Sequence, residues 1–224
     1  MTGNAWTPNE ASGQRLPRAA ATRLSLYLRR VEQLLRAGAT KVSSREIGHS
    51  LGVTDAQVRK DLAALGRLGQ PGIGYDTHDL ALVLRQTLGL HRTWAIVLVG
   101  VGNLARALLR YRGFREQGFH IVALADADPA KIGQTVEGLV IHSPEKLPEL
   151  VAQTGAELAI ITVPSENAQA VADQLVGAGI RGILNFAPAI LHVPPGICLV
   201  SVDLTVQLEQ LAFLVQAACT QGNS

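Results

Sequence analysis

Apolar positions recur every three or four residues through the front of this 224-residue chain. Leu24, Leu28, Val31 and Leu35 stand at i, i+4, i+7 and i+11, which predicts a helix over 16–37. Pro17 suits its first turn and Gly38 its stop. Ser43-Ser44-Arg45-Glu46 has the Ser-x-x-Glu spacing of a capping box. A second helix therefore starts at Ser43 or Ser44, presents Ile47 and Leu51, and breaks at Gly52. Thr54 caps a third helix through about Leu65, burying Val58, Leu62 and Leu65. Glycines at 66, 69, 72 and 74 with Pro71 predict a turn or hairpin, and a further helix follows over 77–90.

After Trp94 the pattern changes to short apolar runs alternating with amphipathic stretches. Strands are expected at 95–100, 121–126, 139–142, 158–163 and 182–186, with helices over 103–112, 144–153 and 165–178. Such alternation reads as βαβ units on a parallel sheet. A last helix carries Leu204, Leu208, Leu211 and Val215 on one stripe, which needs a partner surface, its own sheet being one candidate.

Hydrophobic residues make up 47% and charged residues 17%, which excludes an intrinsically disordered chain. No apolar run approaches the ~18 residues of a membrane span, so no membrane role is expected. The opening residues lack a basic patch followed by an apolar stretch, so a cytoplasmic location is expected. Cys198 and Cys219 form neither a disulfide framework nor a zinc-ligand spacing, and no metal is expected. Their apolar neighbours point to buried structural thiols. The net charge of +2 conceals an asymmetry. Residues 1–85 hold twelve Lys and Arg against seven Asp and Glu, and the remainder eight against eleven. A basic front half suits an anionic partner. These shifts divide the chain into a disordered arm at 1–14, a front domain at 15–85, a rear domain at 86–200 and a terminal helix and tail at 201–224.

In the front domain, two capped helices about a glycine turn match a helix-turn-helix, and the glycine-rich segment after it matches a wing. The second helix would enter the DNA major groove with Asp55, Gln57, Arg59 and Lys60 toward its exposed side. Gln pairs with adenine and Arg with guanine, while Lys meets phosphate. Ser43, Ser44 and Arg45 open the preceding helix, whose N-terminus suits a phosphate. Gly72, Gly74 and Tyr75 belong to the wing. A plain three-helix bundle is the alternative.

In the rear domain, Gly100, Val101, Gly102, Asn103, Leu104 and Ala105 end a strand, open a helix and fit G-x-G-x-x-G/A. The first glycine allows the turn, the second admits a pyrophosphate, and the small third residue lets helix and strand pack. Asp126 ends the second strand, where a carboxylate would take both ribose hydroxyls and repel a 2′-phosphate, favouring NAD(H). Its alternative is a helix cap. Thr162, Val163 and Pro164 end a later strand, and Asn185, Phe186 and Ala187 the next, toward the nicotinamide end. No Ser/Tyr-x-x-x-Lys pair or partnered histidine supplies a proton donor, so a binding function is expected and not an enzyme. An NAD-dependent oxidoreductase, a thiol sensor using Cys198 and Cys219, and a coenzyme A-binding regulator are the competing readings.

The segments LPRAAATRLSLYLR, SSREIGHSLGVTDAQVRKDL, GIGY, LVGVGNLARALLRYRGF, ADADPAKIG, TVP, GILNFAP and the final VDL-helix, in that order, resemble the Rex family of redox-sensing bacterial repressors. The resemblance implies a homodimer with an N-terminal winged helix, a Rossmann-type doubly wound sheet and a domain-swapped C-terminal helix. It implies binding to palindromic operator DNA when NADH is scarce and release when NADH binds, with NAD⁺ a weak competitor. By position, Gly100, Gly102, Asn103 and Leu104 match the family's pyrophosphate loop and Asp126 its ribose ligand. Tyr111 and Asp203 match residues near the nicotinamide and dimer interface, and Arg29 a switching partner, so Asp203 is expected to exchange between Tyr111 and Arg29. Three positions depart from the pattern: Pro71 for a basic wing residue, Ala105 for the third glycine, and Leu204 where some relatives place an aromatic.

Overall fold

The computed structural model describes residues 17–221 apart from Arg67 and Pro71, so the expected arm at 1–14 and the Pro71 departure lie outside the described residues. The chain forms two compact units that divide between His91 and Arg92.

The front unit contains α1 (Arg18–Arg36), β1 (Lys41–Val42), α2 (Ser44–Leu51), α3 (Asp55–Ala63), β2 (Gly69–Gln70), β3 (Gly74–Asp76) and α4 (Thr77–Thr87). The α1 stripe is buried as its spacing requires. Leu24, Tyr27, Leu28 and Val31 pack with Val42, Ile47, Val58, Leu62, Leu80 and Leu84. Each such side chain contributes about 1.5–3 kcal/mol by leaving water. The capping box forms: Glu46 N–H donates to Ser43 Oγ, and Ser43 N–H donates to Glu46 Oε2 at 2.8 Å. The α2–α3 turn depends on Gly48, because a Cβ there would stand 2.4 Å from the Val53 carbonyl oxygen. The glycine-rich segment is a hairpin of β2 and β3, and β1 adds to it to give an antiparallel sheet in the order β1-β3-β2. A two-residue strand has no periodicity of its own, and β1 was not legible in the pattern.

The rear unit contains β4 (Trp94–Val99), α5 (Asn103–Arg110), α6 (Arg112–Glu116), β5 (Phe119–Ala125), β6 (Thr135–Val136), β7 (Leu139–His142), a 3₁₀ turn (Pro144–Lys146), α7 (Leu147–Thr154), β8 (Leu158–Ile161), α8 (Ser165–Gly177), β9 (Gly182–Asn185), β10 (Cys198–Ser201) and α9 (Leu204–Gln221). The sheet runs β10-β9-β8-β4-β5-β7-β6, parallel except for the β6–β7 hairpin. Counting only the parallel strands along the chain, this is the doubly wound order 3-2-1-4-5-6, with its switch point between β4 and β8.

Alternate residues serve opposite faces. Val97, Val99, Ile161 and Ile183 pack under α7 and α8, while Ile96, Leu98, Leu124 and Ile160 pack with Ala105 of α5. The helix expected over 103–112 breaks at Tyr111, whose ψ of 103° is extended and which both ends α5 and starts α6. Neither β6 nor β10 was anticipated. As an edge strand, β10 leaves Cys198 exposed, which corrects the expectation of a buried thiol; the Cys219 side chain lies outside the described residues. No helix lies between β9 and β10. Residues 204–216 of α9 are all exposed, so the Leu204, Leu208, Leu211 and Val215 stripe does not pack on its own sheet. Among the described residues no helix is long and apolar enough to cross a membrane, and no cluster of three His, Cys, Asp or Glu could hold a metal ion.

Candidate functional site

The carboxyl ends of β4, β5, β8 and β9 meet at the switch point. Gly100 has φ +94°, and a Cβ on it would stand 2.8 Å from the Thr162 carbonyl, so the tight approach of the two strand ends admits only glycine. Thr162 pins this turn: its N–H donates to Val99 O at 2.9 Å and its hydroxyl to Gly100 O at 2.6 Å. Gly102 has ordinary φ (−93°), and a Cβ on it would meet nothing within 4 Å. It faces open space at the mouth of α5. No side chain caps α5, and its first turn has no acidic residue. The uncapped N–H groups at Asn103 and Leu104, both exposed, form a natural anion site. Ala105 is fully buried against β4, so its small size serves packing. This open cradle fits a pyrophosphate.

Asp126 is 7% exposed and engaged on several sides. Its Oδ2 accepts the Val101 N–H at 2.6 Å and the Lys131 ammonium at 3.0 Å, and its Oδ1 accepts the Asp128 N–H at 2.9 Å. Burial opposes ionisation, but these three donors outweigh it and hold the carboxyl below the usual range. A carboxylate offers about four acceptor positions, so one remains for a ribose hydroxyl. Gripping two hydroxyls, as the sequence reading expected, requires Lys131 or Val101 to yield. Lys131 escaped notice because a lysine five residues from an aspartate carries no motif.

Beyond the turn, Val163 is half-buried against Gly100, and Pro164 is exposed at the start of α8. Asn185 is fully buried, and its amide is used on its own loop: Nδ2 donates to Ala187 O and Ala189 O, and Oδ1 accepts the Ala187 N–H. Its hydrogen bonds fix the shape of the Phe186-Ala187 turn. Tyr111 is exposed, its ring edge-on to Phe114. The Asp203 carboxylate caps α9 by accepting the Thr205 and Val206 N–H groups. In the front unit, Arg29 is exposed on α1.

The helix-turn-helix surface differs from expectation at Gln57, and Asp55 is only partly exposed. Arg59 and Lys60 are exposed on α3, with Ala56 and Ala63 on the same face. Gln57 is half-buried, and its Nε2 donates to Asp61 Oδ1 at 2.8 Å. Asp61, one turn on, is buried, and its carboxylate accepts from two further side chains. Arg23 of α1 donates to both oxygens at 2.6 and 2.8 Å, and the Tyr27 hydroxyl donates at 2.9 Å. The Arg23 hydrogen bond holds the Asp61 carboxyl below the usual range against its burial, and burial with Asp61 pushes the Tyr27 phenol up to about 12. The signal for this hub was an aspartate beside Leu62 in the buried stripe. Ser43's hydroxyl is engaged in the capping box, Ser44 is half-buried, and Arg45 is exposed beside it. Ser43, Ser44, Arg45, Arg59 and the wing residues Gly72, Gly74 and Tyr75 line one groove.

Residues 91–189 match a family described as a CoA binding domain, and residues 15–63 match one described as a putative DNA-binding protein N-terminus. The chain is 48% identical to the redox-sensing transcriptional repressor Rex of Carboxydothermus hydrogenoformans, over 91% of this chain and 98% of that one. It is 47% identical to the Rex of Pelotomaculum thermopropionicum, over 93% and 98%. It resembles the crystal structure of RSP, a Rex-family repressor, with a TM-score of 0.86 and 31% identity over 94% of this chain and 98% of that one. RSP in complex with beta-NAD+ and operator DNA superposes with a TM-score of 0.87 at 32% identity, covering 94% and 97%. The RSP complex with beta-NADH gives 0.84 at 30%, covering 94% and 98%. A helix-turn-helix unit ahead of a doubly wound sheet, with such identity along nearly the whole length, settles its kinship: the chain belongs to the Rex family of redox-sensing transcriptional repressors.

Proposed function

We propose that this protein is a cytoplasmic transcriptional repressor that binds palindromic operator DNA as a homodimer and releases it when NADH binds. The observation that carries this reading is the presence, on one chain, of an open dinucleotide cradle at Gly102 and a recognition helix whose Arg59–Lys60 face is exposed. RSP, which shares this fold, binds beta-NADH, beta-NAD+ and operator DNA. A regulator is supported over an enzyme because the relatives are named repressors.

In this reading residues 15–85 bind DNA, 86–200 bind the nucleotide, and 201–224 exchange between subunits. Gly100 to Ala105 would hold the pyrophosphate on the α5 N-terminus, and Asp126 would accept a ribose hydroxyl. Thr162, Val163, Pro164 and the Asn185–Ala187 turn would border the nicotinamide end. The dinucleotide supplies a ring that is positively charged when oxidised and neutral when reduced. The chain's part is to make that difference change DNA affinity, since a ligand that binds both states equally shifts nothing. Tyr111, Asp203 and Arg29 are the proposed relay.

The sheet supports exchange of α9. Val200 of β10 lies in register with Leu184 of β9, on the face that carries Leu158, and no helix of the β9–β10 connection covers them. An apolar helix from a second copy has the character to fill that place.

Coenzyme A is the second reading, favoured by the description of the matched rear family. Calorimetric titration with NADH, NAD⁺, NADPH and coenzyme A decides between them. Tight NADH binding with weaker NAD⁺ is expected; equal affinity for both oxidation states, or binding of coenzyme A alone, refutes the redox sensor.

A further inference from the structure

The exposed face of α3 carries two cations of unlike standing. Lys60 makes no ion pair among the described residues, which suits a phosphate contact. Arg59 is held from two helices. Its Nη1 donates to Asp55 Oδ2 at 2.6 Å and lies 3.4 Å from Ser44 Oγ, the first residue of α2. Among the described residues nothing accepts from its Nε or Nη2, which leaves those donors for a ligand. A guanidinium fixed on a recognition helix, with two donor nitrogens to spare, is the group that bonds both O6 and N7 of guanine. Gln57, the other base-reading type on this helix, has its amide on Asp61 and is half-buried. Asp55 brings a half-exposed carboxylate to a surface meant for phosphates, where it repels DNA. Asp55 and Arg59 stand at the i,i+4 spacing at which an acid and a base meet on any helix, and what sets this arginine apart is the second hold, from Ser44 on α2.

We infer that Arg59, oriented by Asp55 and Ser44, reads a guanine in each operator half-site, and that Gln57 is a positioning residue that reads no base. This rests on the DNA-binding reading proposed above, and deepens it.

The test is selection from a duplex pool with a random 30-base-pair core, using the full chain without nucleotide, followed by affinity measurements on the selected site and on each single-base variant. Enrichment by the wild type establishes DNA reading first. A wild type that enriches nothing would instead sink the DNA-binding reading, an outcome separate from those below. Arg59→Ala and the charge-keeping Arg59→Lys should each flatten preference at one G·C pair per half-site, by roughly tenfold or more, and leave other positions intact. Asp55→Ala should weaken the same preference while tightening binding to unrelated duplex, since a repelling charge is gone. Gln57→Ala should lower affinity evenly, with every base preference kept. Circular dichroism checks that each variant is folded. The inference is overturned if Gln57→Ala flattens an A·T position, if Arg59→Lys keeps the guanine preference, or if Asp55→Ala weakens specific and unrelated duplex alike with the guanine preference unchanged.

Discussion

The Asp126 carboxylate lies 2.6 Å from the Val101 nitrogen, so the end of β5 holds the glycine turn that follows β4. The residue proposed to accept a ribose hydroxyl is thus also a clamp on the glycine turn. Asp126→Ala should lose both parts: NADH affinity should fall more than tenfold, and amide exchange at Val101 and Gly102 should rise without nucleotide. Weakened binding with unchanged exchange would mean that the clamp contributes nothing.

Lys131 places a cation 3.0 Å from that carboxylate, at the proposed ribose site. Lys131→Ala should weaken any residual NADPH binding more than NADH binding, because it removes the one positive side chain that, among the described residues, is bonded to Asp126. Competition titration of the two reduced nucleotides measures the ratio, and an unchanged ratio would place Lys131 outside nucleotide choice.

Gly100 and Gly102 should separate folding from binding. Gly102→Val puts its side chain into open space at an ordinary φ, so the melting temperature should stay near that of the wild type while NADH binding is lost. Gly100→Ala drives a Cβ against the Thr162 backbone at φ +94° and should destabilise by about 1–3 kcal/mol. Similar melting temperatures for the two variants would contradict the roles assigned here.

Asp61 joins the recognition helix to α1 through Arg23 and Tyr27. Asp61→Ala leaves those donors unpaired and should cost about 2 kcal/mol or more. Because the folded-state carboxyl is held below its ordinary value, its stabilisation is present in full above that ordinary value and is lost as pH falls through the lowered one. Urea midpoints from neutral pH down into the acid limb should therefore fall more steeply for the wild type than for Asp61→Asn. Parallel curves would remove Asp61 from the account of acid stability.

Under the proposed exchange, the exposed α9 stripe packs on a second copy. Leu208→Glu with Leu211→Glu should give monomers in sedimentation velocity, whereas an unchanged sedimentation coefficient would assign dimerisation elsewhere.

The parts of this molecule legible in the sequence are those with a long period or a spaced signature. The α1 stripe, the Ser43–Glu46 box and the glycine turn at 100–105 each declare themselves locally. Elements whose cause is tertiary were not legible. Two residues become β1 only because β3 lies beside them, and β10 follows Pro194 and Pro195 with no alternation. Gln57 misled for a related reason. Its place on the helix suggested exposure, but a buried carboxylate at i+4 outcompetes water for its amide. Asp126 was found by its spacing, yet its three protein donors belong to residues whose approach only the folded loop decides.

The bare sheet face between β9 and β10 carries a genetic consequence. Under the proposed exchange, each sheet is finished by a helix encoded on another copy of the chain. A cell that makes both wild-type protein and a chain with a ruined α9 stripe would form mixed pairs, in which the intact subunit is the one left uncovered. Such an allele would impair the product of its healthy counterpart, whereas a lesion confined to Gly102 would leave the wild-type subunit's own cradle whole.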